Sequence, residues 1–140
     1  MFVLIFYFEL MKNRSTCPVS SLLDIIGDKW SLLIIRDLFI GRDTYSEFLK
    51  APERISTNIL VDRLKKLTDA GLIEFTRNSD DKKIKVYSLT SKGIDLYPTM
   101  VEMALWSRKH LKMDFHPLAV DMFKDIDAIG AEQHINNVIQ

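Results

Sequence analysis

The stretch from Ala70 to Thr90 changes its hydrophobic period and so constrains the fold more than any other part of the chain. The segments AGLIEFTR and IKVYSLT carry β-branched and aromatic residues, as strands do. The segment between them, residues 78–83, is polar and carries four charges. The pattern predicts a two-stranded hairpin with a charged tip, and the question is what such a tip is for.

Two helices are predicted in the N-terminal third of the chain. The first opens with Pro18 at its first position and closes near Gly27. The second covers residues 30–40 (WSLLIIRDLFI) and is apolar enough to lie in the centre of the core.

Two shorter helices lead into the hairpin. Thr44 is predicted to cap the third helix, with Glu47 three residues later as in a capping box. Ser56 begins the fourth helix and Gly71 stops it. Leucines at helical spacing form the core side of this helix, which leaves its polar residues exposed.

After the hairpin, Thr90 is predicted to cap a long helix that reaches about His110. Pro98 lies inside this helix and is expected to kink it, because proline has no N–H to donate. A further amphipathic helix is expected over residues 118–129. The fold class is therefore α+β, mainly α, with the plan of a winged helix-turn-helix domain followed by long C-terminal dimerisation helices.

Three segments are distinguished: residues 1–10, a winged helix-turn-helix domain over residues 11–110, and a helical tail over residues 111–140. The start, MFVLIFYFEL, has seven consecutive apolar residues, too few to span a bilayer, and lacks the features of a signal peptide. It is interpreted either as a misassigned start or as a real extra element that docks on the body or on a partner subunit.

Five motifs, in this order, resemble the HxlR-type (MarR-like) winged-helix transcriptional regulators of bacteria: CPVSSLLDIIGDKWSLLIIRDLF, YSEFLK, ISTNILVDRLKKLTDAGLIE, VYSLTSKG and ALWSRKH. The resemblance covers residues 11–110. It implies a homodimer that binds DNA as a repressor or activator. It also implies that many members sense thiol-reactive compounds through the cysteine of the CP dipeptide, which is Cys17 here, without fixing the effector.

The helix over residues 56–70 is predicted to enter the major groove, and the wing over residues 78–85 to contact phosphates. Asn58 could read adenine and Arg63 guanine, or Ser56 could merely cap the helix while Arg63 pairs with Asp62 or Glu74. The wing charges have their own alternative, a solvated hairpin tip. The predicted DNA-binding residues are Ser56, Thr57, Asn58, Asp62, Arg63, Lys65, Arg77, Lys82, Lys83 and Lys85.

Cys17 is the single cysteine, so an intrachain disulfide is excluded and a reducing cytoplasm is expected. It precedes Pro18 at the N-cap of the first helix, where the dipole favours a thiolate and Lys12 and Arg14 lie nearby in sequence. The alternative is a small buried hydrophobe. If Cys17 senses oxidants, its products are a disulfide between subunits, a mixed disulfide or an adduct.

Apolar residues beyond the needs of a small winged domain predict a homodimer that binds an inverted-repeat operator, with recognition helices about 34 Å apart. The alternative is that the tail folds back on its own chain. The predicted interface residues are Leu22, Ile26, Val101, Leu105, Trp106, Leu118, Met122 and Phe123.

The distribution of charge also points to DNA. Residues 54–92 carry nine basic and five acidic side chains, whereas residues 111–140 carry two and five. No catalytic motif is present, so neither an enzyme nor a cofactor is expected. His110, His116 and His134 match no zinc spacing and are interpreted as surface histidines. The alternative function is a winged-helix module for protein assembly without DNA.

Overall fold

The computed structural model describes residues 14–140, which fall into two compact units that meet in sequence between Ser88 and Leu89. The N-terminal segment distinguished over residues 1–10 lies outside the described residues. The elements that begin in the first unit are α1 (Pro18–Ile26), α2 (Ser31–Phe39), α3 (Tyr45–Phe48), α4 (Thr57–Asp69), β1 (Ile73–Arg77) and β2 (Lys85–Leu89). All four predicted helices and the hairpin are confirmed.

The core of the first unit is built on α2 and α4, which pack together. Ile35 of α2 and Leu60 of α4 are fully buried, and Phe48 of α3 is buried beside Tyr87, with ring centroids 6.1 Å apart. The central position predicted for the second helix is therefore confirmed. Burial of this leucine side of α4 leaves Thr57, Asn58 and the helix's charged side chains facing solvent.

The ends of α4 are fixed by local hydrogen bonds, as predicted. The Ser56 hydroxyl accepts the N–H of Ile59 at 3.4 Å. At the other end Gly71 has a φ of +75°, which a residue with a Cβ rarely adopts. The reversal lets the Leu72 N–H donate to the Leu67 carbonyl at 3.0 Å, and the chain turns directly into β1.

The hairpin is attached to the beginning of α3. Thr44 caps α3 by accepting the N–H of Glu47, and it also forms an antiparallel bridge with Val86 of β2. The Tyr87 N–H donates to the Asp43 carbonyl at 2.8 Å. These bonds hold the base of the hairpin against the helical core, so the base that supports the hairpin tip is fixed.

The second unit is helical, and Pro98 has a different role from the one predicted. Its elements are α5 (Ser91–Ile94), α6 (Tyr97–His110), α7 (Pro117–Ile129) and α8 (Ala131–Ile139). Thr90 is a cap as predicted, accepting the Gly93 N–H at 3.2 Å, but the single long helix predicted to follow it is wrong, because the chain forms two helices, α5 and α6. The predicted kink is wrong, because Pro98 lies in the first turn of α6, where no N–H is needed.

The tail helix predicted over residues 118–129 is confirmed as α7, and α8 follows it after Gly130. α8 packs on both α6 and α7. Its His134 is 7% exposed, between the Tyr97 hydroxyl at 2.8 Å and the Asp125 carboxylate at 2.5 Å. The interpretation of His134 as a surface histidine is therefore wrong, because three helices enclose it.

The compact units divide at residue 88, whereas the predicted boundary lies at residue 110. The unit Leu89–Gln140 thus takes in α5 and α6 together with the predicted tail. None of the helices within residues 14–140 combines the length and the apolar composition needed to cross a membrane.

Candidate nucleic-acid interface

The first turn of α4 exposes Thr57 and Asn58. Ser56 is also exposed, but its hydroxyl is occupied by the Ile59 N–H, so the capping alternative holds for this side chain. Within residues 14–140 the side chains of Thr57 and Asn58 form no hydrogen bond. Together with the unpaired N–H groups of a helix start, they offer donors to a phosphate or a base edge.

Arg63 is held by two carboxylates. Its Nε donates to Asp28 at 2.8 Å and its Nη1 donates to Asp62, and its side chain is 22% exposed. The predicted alternative of pairing with Asp62 is confirmed, whereas Glu74 is not its partner. Arg63 thus ties α4 to the connection between α1 and α2, which leaves its guanidinium poorly placed to read guanine.

Asp28 is the residue at this junction that the sequence interpretation missed. It accepts the Ser31 hydroxyl at 2.5 Å and the N–H groups of Trp30 and Ser31 at 2.9 and 3.0 Å. Partial burial opposes its ionisation, but these bonds and Arg63 outweigh that effect and lower the pKa of Asp28 to about 2. The position of Asp28 just before α2 could have predicted a capping role. Its ion pair with Arg63, 35 residues away, could not be predicted from sequence spacing.

The remaining charged side chains of α4 also pair with each other. Lys65 reaches Asp69 at 2.8 Å and Lys66 reaches Asp62 at 3.2 Å, both four residues apart along the helix. All four side chains are largely exposed, so water and salt screen both pairs and they contribute little to stability. Lys65 and Lys66 are therefore paired on the helix itself, whereas Arg63 also reaches Asp28 outside it.

The wing differs, because its cations lack carboxylate partners. Arg77, Lys82, Lys83 and Lys85 form no ion pair with any residue in the range 14–140. One acid of the tip, Asp81, bonds to the backbone instead. The Asp81 carboxylate accepts the Lys83 N–H at 3.0 Å, and the Asn78 side chain accepts the N–H groups of Asp80 and Asp81.

These backbone bonds order the tip without neutralising it. Asn78 and Ile84 close the turn with a backbone hydrogen bond of 2.9 Å, and the Arg77 guanidinium donates to the Lys82 carbonyl at 3.4 Å. Lys82 and Lys83 are exposed on this ordered turn. With Arg77 and Lys85 on the strands beside it, the turn forms a surface on which four cations outnumber Asp80 and Asp81, of the kind that a phosphate backbone would contact.

Cys17 is exposed at the N-cap of α1, so the alternative of a small buried hydrophobe is wrong. Its backbone carbonyl accepts bonds from the N–H and the hydroxyl of Ser21. Arg14 is turned to Asp24, with which it pairs at 2.6 Å. Lys12 lies outside the described residues. The thiol is thus accessible to a reagent in solution.

The predicted interface residues divide by burial. Ile26, Val101 and Phe123 are 6%, 1% and 7% exposed within the single chain, so they belong to the cores of their own units and leave little surface for a partner. Trp106 and Leu118 are 59% and 53% exposed. Leu22, Leu105 and Met122 are half-buried. Residues 14–140 contain no cluster of His, Cys, Asp and Glu placed to hold a metal ion.

Comparison with known proteins identifies relatives for most of the chain. Residues 25–115 match the HxlR-like helix-turn-helix family. The HTH-type transcriptional regulator YdeP of Bacillus subtilis is 33% identical over 94 residues, which are 67% of this chain and 73% of the relative. The HTH-type transcriptional regulator sll1512 of Synechocystis sp. is 32% identical over 87 residues; the match covers 62% of this chain and just 64% of that protein.

Two solved structures share the arrangement. The reduced form of the transcriptional regulator YodB from B. subtilis has a TM-score of 0.57 and 30% identity, covering 70% of this chain and 97% of that one. The redox regulator HypR in its oxidised form has a TM-score of 0.61 and 28% identity, covering 69% and 100%. The predicted winged helix-turn-helix fold is confirmed.

Proposed function

The chain belongs to the HxlR-like helix-turn-helix family of transcriptional regulators, and from this premise we propose that it binds duplex DNA in a sequence-selective way. In this proposal the start of α4 enters the major groove and the wing follows the phosphate backbone. The protein then acts in the cytoplasm, where the DNA is. The activity is regulation by occupancy of an operator, without enzymatic chemistry.

The observation that supports the proposal best is the unpaired charge of the wing. Lys82 and Lys83 project on an ordered turn, and Arg77 and Lys85 lie on the strands beside it. None of the four has a carboxylate partner among residues 14–140, while the cations of α4 are all paired. A surface of this kind gains most from phosphates, because releasing counterions from DNA drives the association. Thr57 and Asn58 add neutral donors and acceptors that suit base edges.

A homodimer is the second part of the proposal. In α6, Met103 and Trp106 lie three residues apart and are 52% and 59% exposed, and Leu118 of α7 is also exposed. In α1, Val19 and Leu23 are 66% and 51% exposed. Large exposed side chains at helical spacing in each unit are typical of surfaces that a second subunit covers. Two copies would read an inverted-repeat operator.

A thiol switch at Cys17 is the third part. Cys17 is the N-cap residue of α1, and its sulfur is accessible. The related structures include a regulator described as a redox regulator. Oxidation of two thiolates would join two subunits through one disulfide, with the two electrons passing to the oxidant. An adduct at the same position would add bulk beside the exposed face of α1.

The test is a titration of the full-length chain on a labelled duplex from upstream of its own gene, with a shuffled duplex as control. Selective binding supports the regulator, and Cys17→Ser and Trp106→Glu variants separate its other two parts. An oxidant effect lost in Cys17→Ser supports the switch, and one that survives the substitution removes it. A Trp106→Glu chain that stays dimeric in light scattering removes α6 from the interface.

A further inference from the structure

Phe75 of the wing holds two cations against its ring. The Lys85 Nζ lies 4.4 Å from the ring centroid, and the Arg77 guanidinium carbon lies 5.7 Å from it. Both distances fall within the range of attractive cation–π interactions. Phe75 is 38% exposed, and its ring centroid lies 5.6 Å from that of the buried Tyr87. The ring therefore has one side on the core and another directed to the charged part of the wing.

The register of the hairpin explains the arrangement. The hydrogen bond from Asn78 N–H to the Ile84 carbonyl sets the antiparallel pairing, which places Arg77 opposite Lys85 and Phe75 opposite Tyr87. Like charges directly opposite each other destabilise a sheet. No carboxylate within residues 14–140 pairs with either cation. The sequence thus keeps an unfavourable cation pair on one sheet face and places an aromatic ring beneath it.

We propose that Phe75 is a positioning residue for DNA phosphates: its ring holds Arg77 and Lys85 side by side, so that one stretch of phosphate backbone can contact both. This inference rests on the proposed function and deepens it. A long cation that is already restrained loses less conformational entropy when it binds. Arg77 and Lys85 repel each other in the free protein, and a bound phosphate backbone relieves that repulsion. This relief favours the complex.

The experiment compares Phe75→Leu with Phe75→Trp in the full-length chain. Leucine keeps apolar contact with Tyr87 but has no ring face, whereas tryptophan keeps a face for both cations. We expect Phe75→Leu to bind a duplex of arbitrary sequence about two- to fivefold more weakly at low salt. The slope of log affinity against log salt should become shallower by about one. Phe75→Trp should retain both values.

A second background shows whether Phe75 acts through its cations. In a chain carrying Arg77→Gln and Lys85→Gln, Phe75→Leu should change duplex affinity by less than about 1.5-fold, because there is nothing left to position. An equal loss in both backgrounds would reveal a merely structural role and overturn the inference. Unchanged binding by Phe75→Leu in the native background would overturn it as well.

A readout without DNA separates this inference from the proposed function. The ring should shift the NMR signals of the Lys85 side-chain methylenes upfield, and Phe75→Leu, or Phe75→Met if leucine impairs folding, should abolish that shift. Unshifted signals in the native chain would contradict the positioning even if DNA binds. A native chain that shows the shift but binds no duplex at low salt would instead overturn the proposed function and, with it, the phosphate role of Phe75.

Discussion

Helix α4 and the wing both carry arginine or lysine side chains, but those of α4 are paired with carboxylates and those of the wing are not, within residues 14–140. On α4, Arg63, Lys65 and Lys66 are each paired with a carboxylate. On the wing, the Asp81 carboxylate accepts a backbone N–H, and none of the lysines has a carboxylate partner within residues 14–140. The difference shows that a count of basic residues does not locate a polyanion surface, because partners decide which charges are available.

This comparison assigns different tasks to the two regions. In the proposed DNA complex, the wing would supply the long-range attraction and most of the salt-dependent affinity. Arg63 of α4 fixes the helix to Asp28, between α1 and α2, and in the proposed complex Thr57 and Asn58 would contact bases. Four predictions test this division.

The largest effect is expected from removing the wing cations. Replacing Arg77, Lys82, Lys83 and Lys85 by Gln should weaken duplex binding about 100- to 1000-fold near 0.1 M salt and make the salt slope shallower by about three to four. The melting temperature should hardly change, since none of these side chains is buried. The matched control compares two double variants: Lys65→Gln with Lys66→Gln on α4, and Lys82→Gln with Lys83→Gln on the wing. An equal loss of affinity in the two pairs would remove the distinction between helix and wing.

The second effect concerns stability. Arg63→Leu should lower the free energy of unfolding by about 2 kcal/mol, because it leaves the partly buried Asp28 without its charged partner. Urea denaturation followed by circular dichroism measures the loss. Lys65→Leu provides the control, since Lys65 is exposed and pairs only with Asp69. A stability unchanged by Arg63→Leu would show that the side chain is free to act elsewhere, including at a base.

The third effect is a pH dependence that comes from Asp28. Its pKa is about 2 in the folded protein against an ordinary 3.8, so its ionised form stabilises the fold above about pH 4, and this contribution is lost as the pH falls towards 2. Because water screens the site, we expect the contribution to be about 1 kcal/mol. The difference in unfolding free energy between the native chain and Asp28→Asn should shrink over this interval. A difference that stays constant with pH would contradict the pairing.

The smallest effect is expected at the surface pairs of α4. Asp69→Asn should leave the urea midpoint of unfolding unchanged within error, because its pair with Lys65 is exposed on both sides. Duplex binding should tighten slightly, since Lys65 is released. Weaker binding after this substitution would indicate that the pair itself orders the DNA-facing surface.

Much of the fold was predictable because its signals are local. Ser56, Thr90 and Gly71 act within a few residues of their positions, and each does what its residue type favours. Pro98 was misread because proline suits both a kink and a first turn, and only the end of α5 at Ile94 distinguishes them.

The site was less predictable because its electrostatics are not local. The bond between Arg63 and Asp28 joins residues 35 positions apart, so no spacing in the sequence reveals it. The burial of His134 likewise requires α6, α7 and α8 to come together. By contrast, the exposure of Thr57, Asn58 and Lys65 followed directly from the leucine spacing of α4.

The most direct test of the account is the salt dependence of duplex binding by the native, full-length chain, measured by fluorescence anisotropy on upstream and shuffled duplexes. The account predicts tighter binding to the upstream duplex and a log–log slope of about −4 or steeper, to which the wing cations contribute most. Absence of binding to either duplex at low salt, or binding that does not vary with salt, would contradict it.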